Sequence, residues 1–214
     1  MKLYIYDHCP FCVKARMIFG LKHVPVTDVV LLNDDVETPT RMVGRKLVPI
    51  LEQDGRFMGE SMDIVAHIDT MDGRLVLTGP TRPAISQWLK DEQRAGIHLM
   101  LPRFAAAPLP EFATTAARLY FIRNKEDMIG PFGESLADTP ALRASTNAGL
   151  ARLAGLIQRP DAVNGTLSRD DIHLFAHLRS LTIVAGLDWP ERVRAYCQHM
   201  AQATGIPLLD SIAA

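Results

Sequence analysis

The chain has 214 residues, 48% of them apolar and 22% charged, with 14 Gly and 14 Pro. That balance is typical of a folded globular protein and excludes long disorder and collagen-like sequence, while the length suits one large domain or two small ones. Twenty-three basic against 24 acidic side chains leave a net charge of −1, and the stretch through Asp72 carries 8 basic and 11 acidic residues. Neither part has the dense positive field of a nucleic-acid binder.

In chain order, Lys2 to Tyr6 reads as a short strand, with β-prone Tyr4, Ile5 and Tyr6. A helix is expected from Pro10, suited to a first helical position, to about Leu21. Val13, Met17 and Gly20 form one stripe, flanked by Ala15, Ile18 and Leu21. Gly20 reads as part of the helix stop. Val24 to Leu32 is rich in Val and reads as a buried strand. Asn33-Asp34-Asp35 breaks it and offers caps for a short helix to about Val43, with Gly44 as its stop. Leu47 to Glu52, Asp54-Gly55 and Arg56 to Met58 read as a β-hairpin. Ser61 is expected to cap a helix through about Met71, with Met62, Val65 and Ile68 inward and Asp63 and Asp69 outward. A strand–helix–strand unit implies parallel neighbours and a tight hairpin implies an antiparallel pair, so the sheet is mixed.

Gly73 to Pro83 reads as a linker. Beyond it no strand hairpin is evident. Ile85, Trp88 and Leu89 open a helix expected to stop near Pro102. Phe112, Ala116 and Leu119 share a helical register. Thr139-Pro140 starts another helix, marked by Leu150, Leu153, Leu156 and Ile157. Ser168 and Asp171 form a capping box, stapled by Leu167 and Ile172. The helix after it carries Leu174, Leu178, Leu181 and Ala185 on one stripe, with Ile172, Phe175 and Ile183 elsewhere. Being apolar on more than one face, it is the expected central core helix. The second half is all-α.

The chemistry concentrates at Cys9-Pro10-Phe11-Cys12. A strand, a short loop and this motif opening a helix set the Cys9 sulfur beside unpaired backbone N–H groups and the positive end of the helix dipole. An unperturbed thiol, with pKa about 8.5, is only about 3% thiolate at pH 7. A drop of ~2 units, or ~2.7 kcal/mol, makes it mostly thiolate. Cys12, three residues on and on the same helical face, is within reach and deeper in the first turn. Cys9 is therefore the expected nucleophile and Cys12 the resolving thiol, closing an intramolecular disulfide. Lys14 and His8 read as solvated surface residues.

Lys2 is followed by only Leu-Tyr-Ile-Tyr before Asp7, so no signal-peptide apolar region is expected. No apolar run approaches the ~18–20 residues of a membrane span. Three cysteines, Cys9, Cys12 and Cys197, are too few for a disulfide scaffold or an all-cysteine zinc site. A cytoplasmic, reducing setting is expected, where a Cys-x-x-Cys pair is more often catalytic than structural.

Lys2-Leu3-Tyr4-Ile5-Tyr6-Asp7-His8-Cys9-Pro10-Phe11-Cys12 resembles a glutaredoxin active site, close to the common Cys-Pro-Tyr-Cys. Phe11 keeps the aromatic surface and drops the hydroxyl. Val48-Pro49 resembles that family's cis-proline dipeptide, and Glu60-Ser61 resembles the Glu/Gln-Ser pair that glutathione-binding proteins place at a helix start. With its linker and helical second half, the whole chain resembles the bacterial glutaredoxins built on a glutathione transferase-like scaffold. The resemblance implies an α/β plus all-α architecture. A thioredoxin-like domain with a four-stranded mixed sheet would occupy residues 1–72, a linker 73–83, and an all-helical domain 84–214. It also implies a glutathione-dependent thiol–disulfide oxidoreductase with no tightly bound cofactor. Glutathione is the co-substrate, with glutathione reductase and NADPH upstream.

Carried over residue by residue, the resemblance makes Cys9 and Cys12 catalytic. It gives glutathione to Pro10, Phe11, Lys46, Val48, Pro49, Glu60 and Ser61. The residue chemistry agrees. A residue before proline favours extended geometry, so Val48 can offer its N–H and C=O to a peptide-like ligand. If Pro49 is cis, as the resemblance implies, that edge is fixed beside Cys9. Donors at Glu60-Ser61 suit the α-carboxylate of a γ-glutamyl group, and the Glu60 carboxylate suits its ammonium. Lys46 would meet the glycine carboxylate of glutathione. Protein disulfides and glutathionylated proteins are the expected partners, without nucleic acid or membrane, and a monomer is the expected form.

Cys197 reads as an inert buried thiol, His173 and His177 as core or rim residues lacking a third metal ligand, and Tyr6 as packing. Two other functions share these features. A glutathione transferase conjugating electrophiles would use the same scaffold without needing Cys12. A non-catalytic module holding zinc or an iron–sulfur cluster would use both thiolates as ligands.

Overall fold

In the computed structural model, which describes residues 1–214, the first strand is β1 (Lys2–Ile5). Leu3 and Ile5 are buried while Lys2 stays exposed, the period-2 pattern of a half-buried strand. Then come α1 (Pro10–Leu21), β2 (Thr27–Val30), α2 (Glu37–Val43), β3 (Ile50–Gln53), β4 (Arg56–Met58) and α3 (Ser61–Thr70). The sheet order is β2-β1-β3-β4. β1 pairs parallel with β2 (Lys2 opposite Thr27) and antiparallel with β3 (Tyr4 opposite Ile50), and β3 is antiparallel to β4. Asp54 and Gly55 both adopt positive φ, 52° and 74°, as a two-residue hairpin turn requires.

Six helices follow: α4 (Pro83–Ala106), α5 (Thr115–Ile129), α6 (Phe132–Ala137), α7 (Thr139–Ala154), α8 (Arg169–Leu181) and α9 (Glu191–Thr204). The expected fold class is therefore the observed one, a mixed α/β sheet unit followed by a helical domain. α1 packs on α3 and also on α8 and α9, so it buries Val13, Ala15, Met17, Ile18 and Phe19. α8 is the central core helix anticipated from its sequence, burying Ile172, Leu174, Phe175, Ala176, Leu178 and Leu181. Its capping box is present, and the Asp171 carboxylate accepts the Ser168 N–H at 2.8 Å. One continuous core of 43 buried residues runs from Leu3 and Ile5 to Ile206 and Leu209.

Several local expectations are corrected. β2 is a sheet edge and mostly exposed, because its Val content fixes strand propensity but not which neighbours cover it. Gly20 lies inside α1, and its missing side chain serves packing: an added Cβ would sit 2.1 Å from the Thr204 carbonyl oxygen. α4 continues four residues past Pro102, with Leu101, Pro102 and Phe104 buried, tertiary burial outweighing one lost backbone hydrogen bond. Glu60, not Ser61, is the cap of α3, and Asp69 is buried, accepting the Val76 N–H at 2.8 Å. On α5 the inward residues are Ala117 and Phe121, while Leu119 is exposed. α7 ends at Ala154, before Leu156 and Ile157, and α6 had no sequence signal.

Candidate active site

β1 ends at Ile5, and the chain turns through Tyr6–Cys9, closed by the Cys9 N–H donating to the Tyr6 carbonyl at 3.3 Å. Cys9 is the N-cap of α1, with φ −73° and ψ 118°, and Pro10 takes the first helical position. All three cysteines are free thiols; Cys9 is half-buried and Cys12 fully buried. The Cys12 sulfur accepts the Tyr6 N–H at 3.4 Å. The hydrogen bond from the Cys12 thiol pulls the Cys9 pKa down to about 6 against the effect of burial. The neighbouring His8 and the Cys12 and Phe11 backbone N–H groups act in the same direction. Burial, and then the neighbouring Cys9 sulfur, push Cys12 well above the ordinary thiol range.

His8 and Lys14 are not the solvated residues expected. His8 is only 7% exposed. Its ring stacks near Phe112 and meets Phe121 edge-on, with centroids 5.2 and 5.0 Å away, and Phe104 lies at 5.3 Å. Its Nδ1 lies 2.6 Å from Glu111 Oε1, which also accepts the His8 backbone N–H at 2.9 Å. Lys14 is half-buried, with Nζ 4.8 Å from the Phe11 ring centroid, and burial lowers its pKa. Short-range periodicity could not reveal the His8 environment, because Phe104, Glu111, Phe112 and Phe121 all lie about 100 positions away.

A cleft of about 240 Å³ opens beside Cys9. Cys9, Lys46 and Val48 line it together with Tyr6, His8 and Asn33, and Tyr120, Phe121 and Lys125 of α5 form the facing wall. The Val48–Pro49 peptide bond is cis. Val48 makes no main-chain hydrogen bond within the protein, so both its N–H and its C=O are available to a ligand. Lys46 Nζ sits 3.6 Å over the Tyr120 ring and donates to the Asn33 carbonyl. Phe11 is 55% exposed on the first turn of α1, next to Pro10. Glu60 and Ser61 open α3 outside the lining of this cleft. Glu60 has φ 63° and pairs with Arg45, while the Ser61 and Met62 N–H groups have no partner in the chain.

The other candidates sit apart. Burial raises the Cys197 thiol to about 12 and lowers His177 to about 4. No third ligand-type side chain gathers with His173 and His177. No helix is long and apolar enough to cross a membrane.

A family model described as "Glutaredoxin 2, C terminal domain" matches residues 84–213, and one described as "Glutathione S-transferase, N-terminal domain" matches residues 3–74. The chain is 55% identical to "Glutaredoxin 2" of Escherichia coli strain K12 over 214 residues, all of both chains. It belongs to the glutaredoxin 2 family. A solved glutaredoxin 2 from Salmonella typhimurium, in complex with glutathione, matches with TM-score 0.98 and 55% identity, covering 100% of this chain and 98% of that one. A glutathione S-transferase of Ceriporiopsis subvermispora, in complex with glutathione, shares the fold at TM-score 0.72 and 15% identity, covering 96% of each chain.

Within this chain, the residues that sequence reasoning missed come mostly from the helical half: Glu111, Tyr120, Phe121 and Lys125. A carboxylate in Pro110-Glu111-Phe112 reads as solvated, and nothing local marks it as completely buried. The one available signal was the aromatic pair Tyr120-Phe121, indistinguishable by pattern from core.

Proposed function

We propose that this member of the glutaredoxin 2 family is a glutathione-dependent thiol–disulfide oxidoreductase with Cys9 as nucleophile and Cys12 as resolving thiol. The observation that carries the reading is Cys9 itself: a half-buried sulfur at a helix start, its pKa lowered, opening on a cleft beside an unpaired peptide edge at Val48. In the first step the Cys9 thiolate attacks the sulfur of a glutathione mixed disulfide. The Cys9–glutathione S–S bond forms, the original S–S bond breaks, and the electron pair leaves on the substrate thiolate. A second glutathione thiolate then attacks the mixed disulfide, releasing oxidised glutathione and restoring Cys9. With a protein disulfide, Cys9 forms a mixed disulfide with one substrate sulfur. Cys12 then attacks Cys9, the Cys9–substrate bond breaks and the substrate leaves as a dithiol. Two glutathione molecules reduce the resulting Cys9–Cys12 disulfide, leaving as oxidised glutathione. Glutathione reductase and NADPH would return the electrons upstream.

Val48 is proposed to pair with the glutathione main chain, with Pro49 fixing that edge. The α3 start at Glu60 and Ser61 would take the γ-glutamyl end, its free Ser61 and Met62 N–H groups suiting a carboxylate. Lys46 would take the glycine carboxylate, with Pro10 and Phe11 bordering the sulfur. Residues 1–72 would supply the thiols and glutathione contacts, with 73–83 a linker and 84–214 the facing wall. The working form would be a monomer in a reducing compartment, acting on protein disulfides and glutathionylated proteins.

A glutathione- and NADPH-coupled assay with a small glutathione mixed disulfide tests this. Cys9→Ser should lose all turnover, and Cys12→Ser should keep mixed-disulfide reduction while losing activity on protein disulfides. Turnover surviving in Cys9→Ser would refute the assignment, as would its absence in folded Cys12→Ser.

A further inference from the structure

Glu111 is an unusual buried carboxylate. It is completely inaccessible, comes from the turn Pro110–Phe112 between α4 and α5, and reaches across to the loop before α1. Oε1 takes two contacts from one residue, the His8 backbone N–H and His8 Nδ1. Oε2 has no hydrogen-bond partner. The surroundings are aromatic, with Phe104, Phe112 and Phe121 around the His8 ring. A buried ion pair of this kind is weak evidence for stability, because desolvation offsets much of the Coulomb gain. Yet the pair stands directly against the nucleophile: His8 precedes Cys9 in sequence and both line the same cleft.

We propose that the His8–Glu111 pair is a positioning device through which the helical half of the molecule sets the charge on the Cys9 sulfur. Glu111 fixes the His8 ring by Nδ1, and this buried pair, next in sequence to Cys9 and on the same cleft, favours thiolate at that sulfur. The other charged and titratable groups nearby are engaged elsewhere: Lys46 donates to the Asn33 carbonyl and sits over Tyr120, and Arg118 donates to the Ala105 and Ala107 carbonyls. Tyr6 stacks parallel to the ring at 5.9 Å and burial keeps it a neutral phenol. Cys12 is held as a thiol. Arg179 of α8 is committed to Asp7, and Lys125 lies beyond Phe121, 5.9 Å from that ring's centroid. Glu111 also acts unequally on the two thiols: it favours thiolate at Cys9 through His8, and its own charge helps keep Cys12 protonated.

The inference rests on Cys9 being the attacking thiol, and the experiment separates the two. The pH dependence of Cys9 alkylation by iodoacetamide, located by peptide mass, is measured in the full-length reduced protein. Wild type is compared with Glu111→Gln, His8→Asn and the double variant. Asn at position 8 keeps a donor near Nδ1 without charge, and the double variant keeps a neutral hydrogen-bonded pair of similar shape. All three midpoints should rise by about 1 unit or more, the double variant no further than either single one, with the plateau rate at high pH unchanged. Folded variants whose midpoint equals wild type would overturn the proposal, as would single shifts that add in the double variant. Loss of the fold in all three would make the pair structural and overturn it as well. A wild-type midpoint in the ordinary thiol range would instead refute the reading of Cys9 itself.

Discussion

Cys9 and Cys12 are chemically identical residues three positions apart, and their surroundings drive them in opposite directions. Cys9 gains a hydrogen bond from Cys12, the neighbouring His8 and two backbone donors; Cys12 is enclosed and faces the Cys9 sulfur. With a Cys9 pKa of about 6, the thiolate is roughly 90% populated at pH 7. Iodoacetamide at pH 7 should therefore label Cys9 quickly and leave Cys12 and Cys197 unmodified in the folded protein. Equal labelling of Cys9 and Cys197 would contradict this. The linkage has a definite sign. The folded-state Cys9 pKa lies below the unfolded value near 8.5, so the unfolded chain binds more protons between about pH 6 and 8.5. This thiol's contribution to stability rises with pH across that window and is lost as pH falls through 6.

Among the elements, α1 packs against helices of both halves, α3 on one side and α8 and α9 on the other, and Gly20 shows how closely. Helix propensity alone makes Gly→Ala in a helix interior favourable by about 1 kcal/mol. Here the added methyl would meet the Thr204 backbone at the end of α9, which cannot swing aside as a side chain would. Gly20→Ala should therefore lower stability by about 1–3 kcal/mol, the usual range for overpacking, seen as a lower midpoint in thermal or urea unfolding. A raised midpoint would show that α1 and α9 do not approach as described. The same reasoning separates the readable elements from the others. Helix α8 was legible because its capping box and its apolar faces are local features. The inward face of α5 was not, because Leu119 and Phe121 are equally apolar and only the position of α4 and the His8 loop decides which is covered.

At the scale of the whole molecule, Arg179 joins the two parts. It is fully buried on α8 and donates to the Asp7 carbonyl, the Asp7 carboxylate at 3.0 Å and the Pro207 carbonyl at 3.0 Å. Asp7 keeps Arg16 as a second partner at 2.8 Å. Arg179→Met would leave the Asp7 carbonyl and Pro207 carbonyl without their donor, and breaking a buried pair costs about 3–5 kcal/mol. Because the apolar core is continuous, that loss should be felt on both sides at once. Both tryptophans, Trp88 and Trp189, lie in the helical part, and Cys12 lies beside the sheet. Tryptophan fluorescence and Cys12 accessibility should lose their folded values at one shared, lowered midpoint. Two separated midpoints would mean that the parts unfold independently.

The sequence by itself determined the helix-start setting of Cys9 and Cys12, the mixed sheet, the helical second half and the core role of α8. Each is written in residues close together in the chain: a Cys-x-x-Cys after a strand, a two-residue turn, a capping box, a 3.6-residue period. Only the tertiary structure decided that His8 is buried against Glu111, that β2 is an edge, that α4 runs through Pro102 and that α5 walls the cleft. Those outcomes depend on which distant surfaces meet. Desolvation and Coulomb interaction act through space, so a charge 103 residues away along the chain can lie 2.6 Å from the ring beside the reactive sulfur.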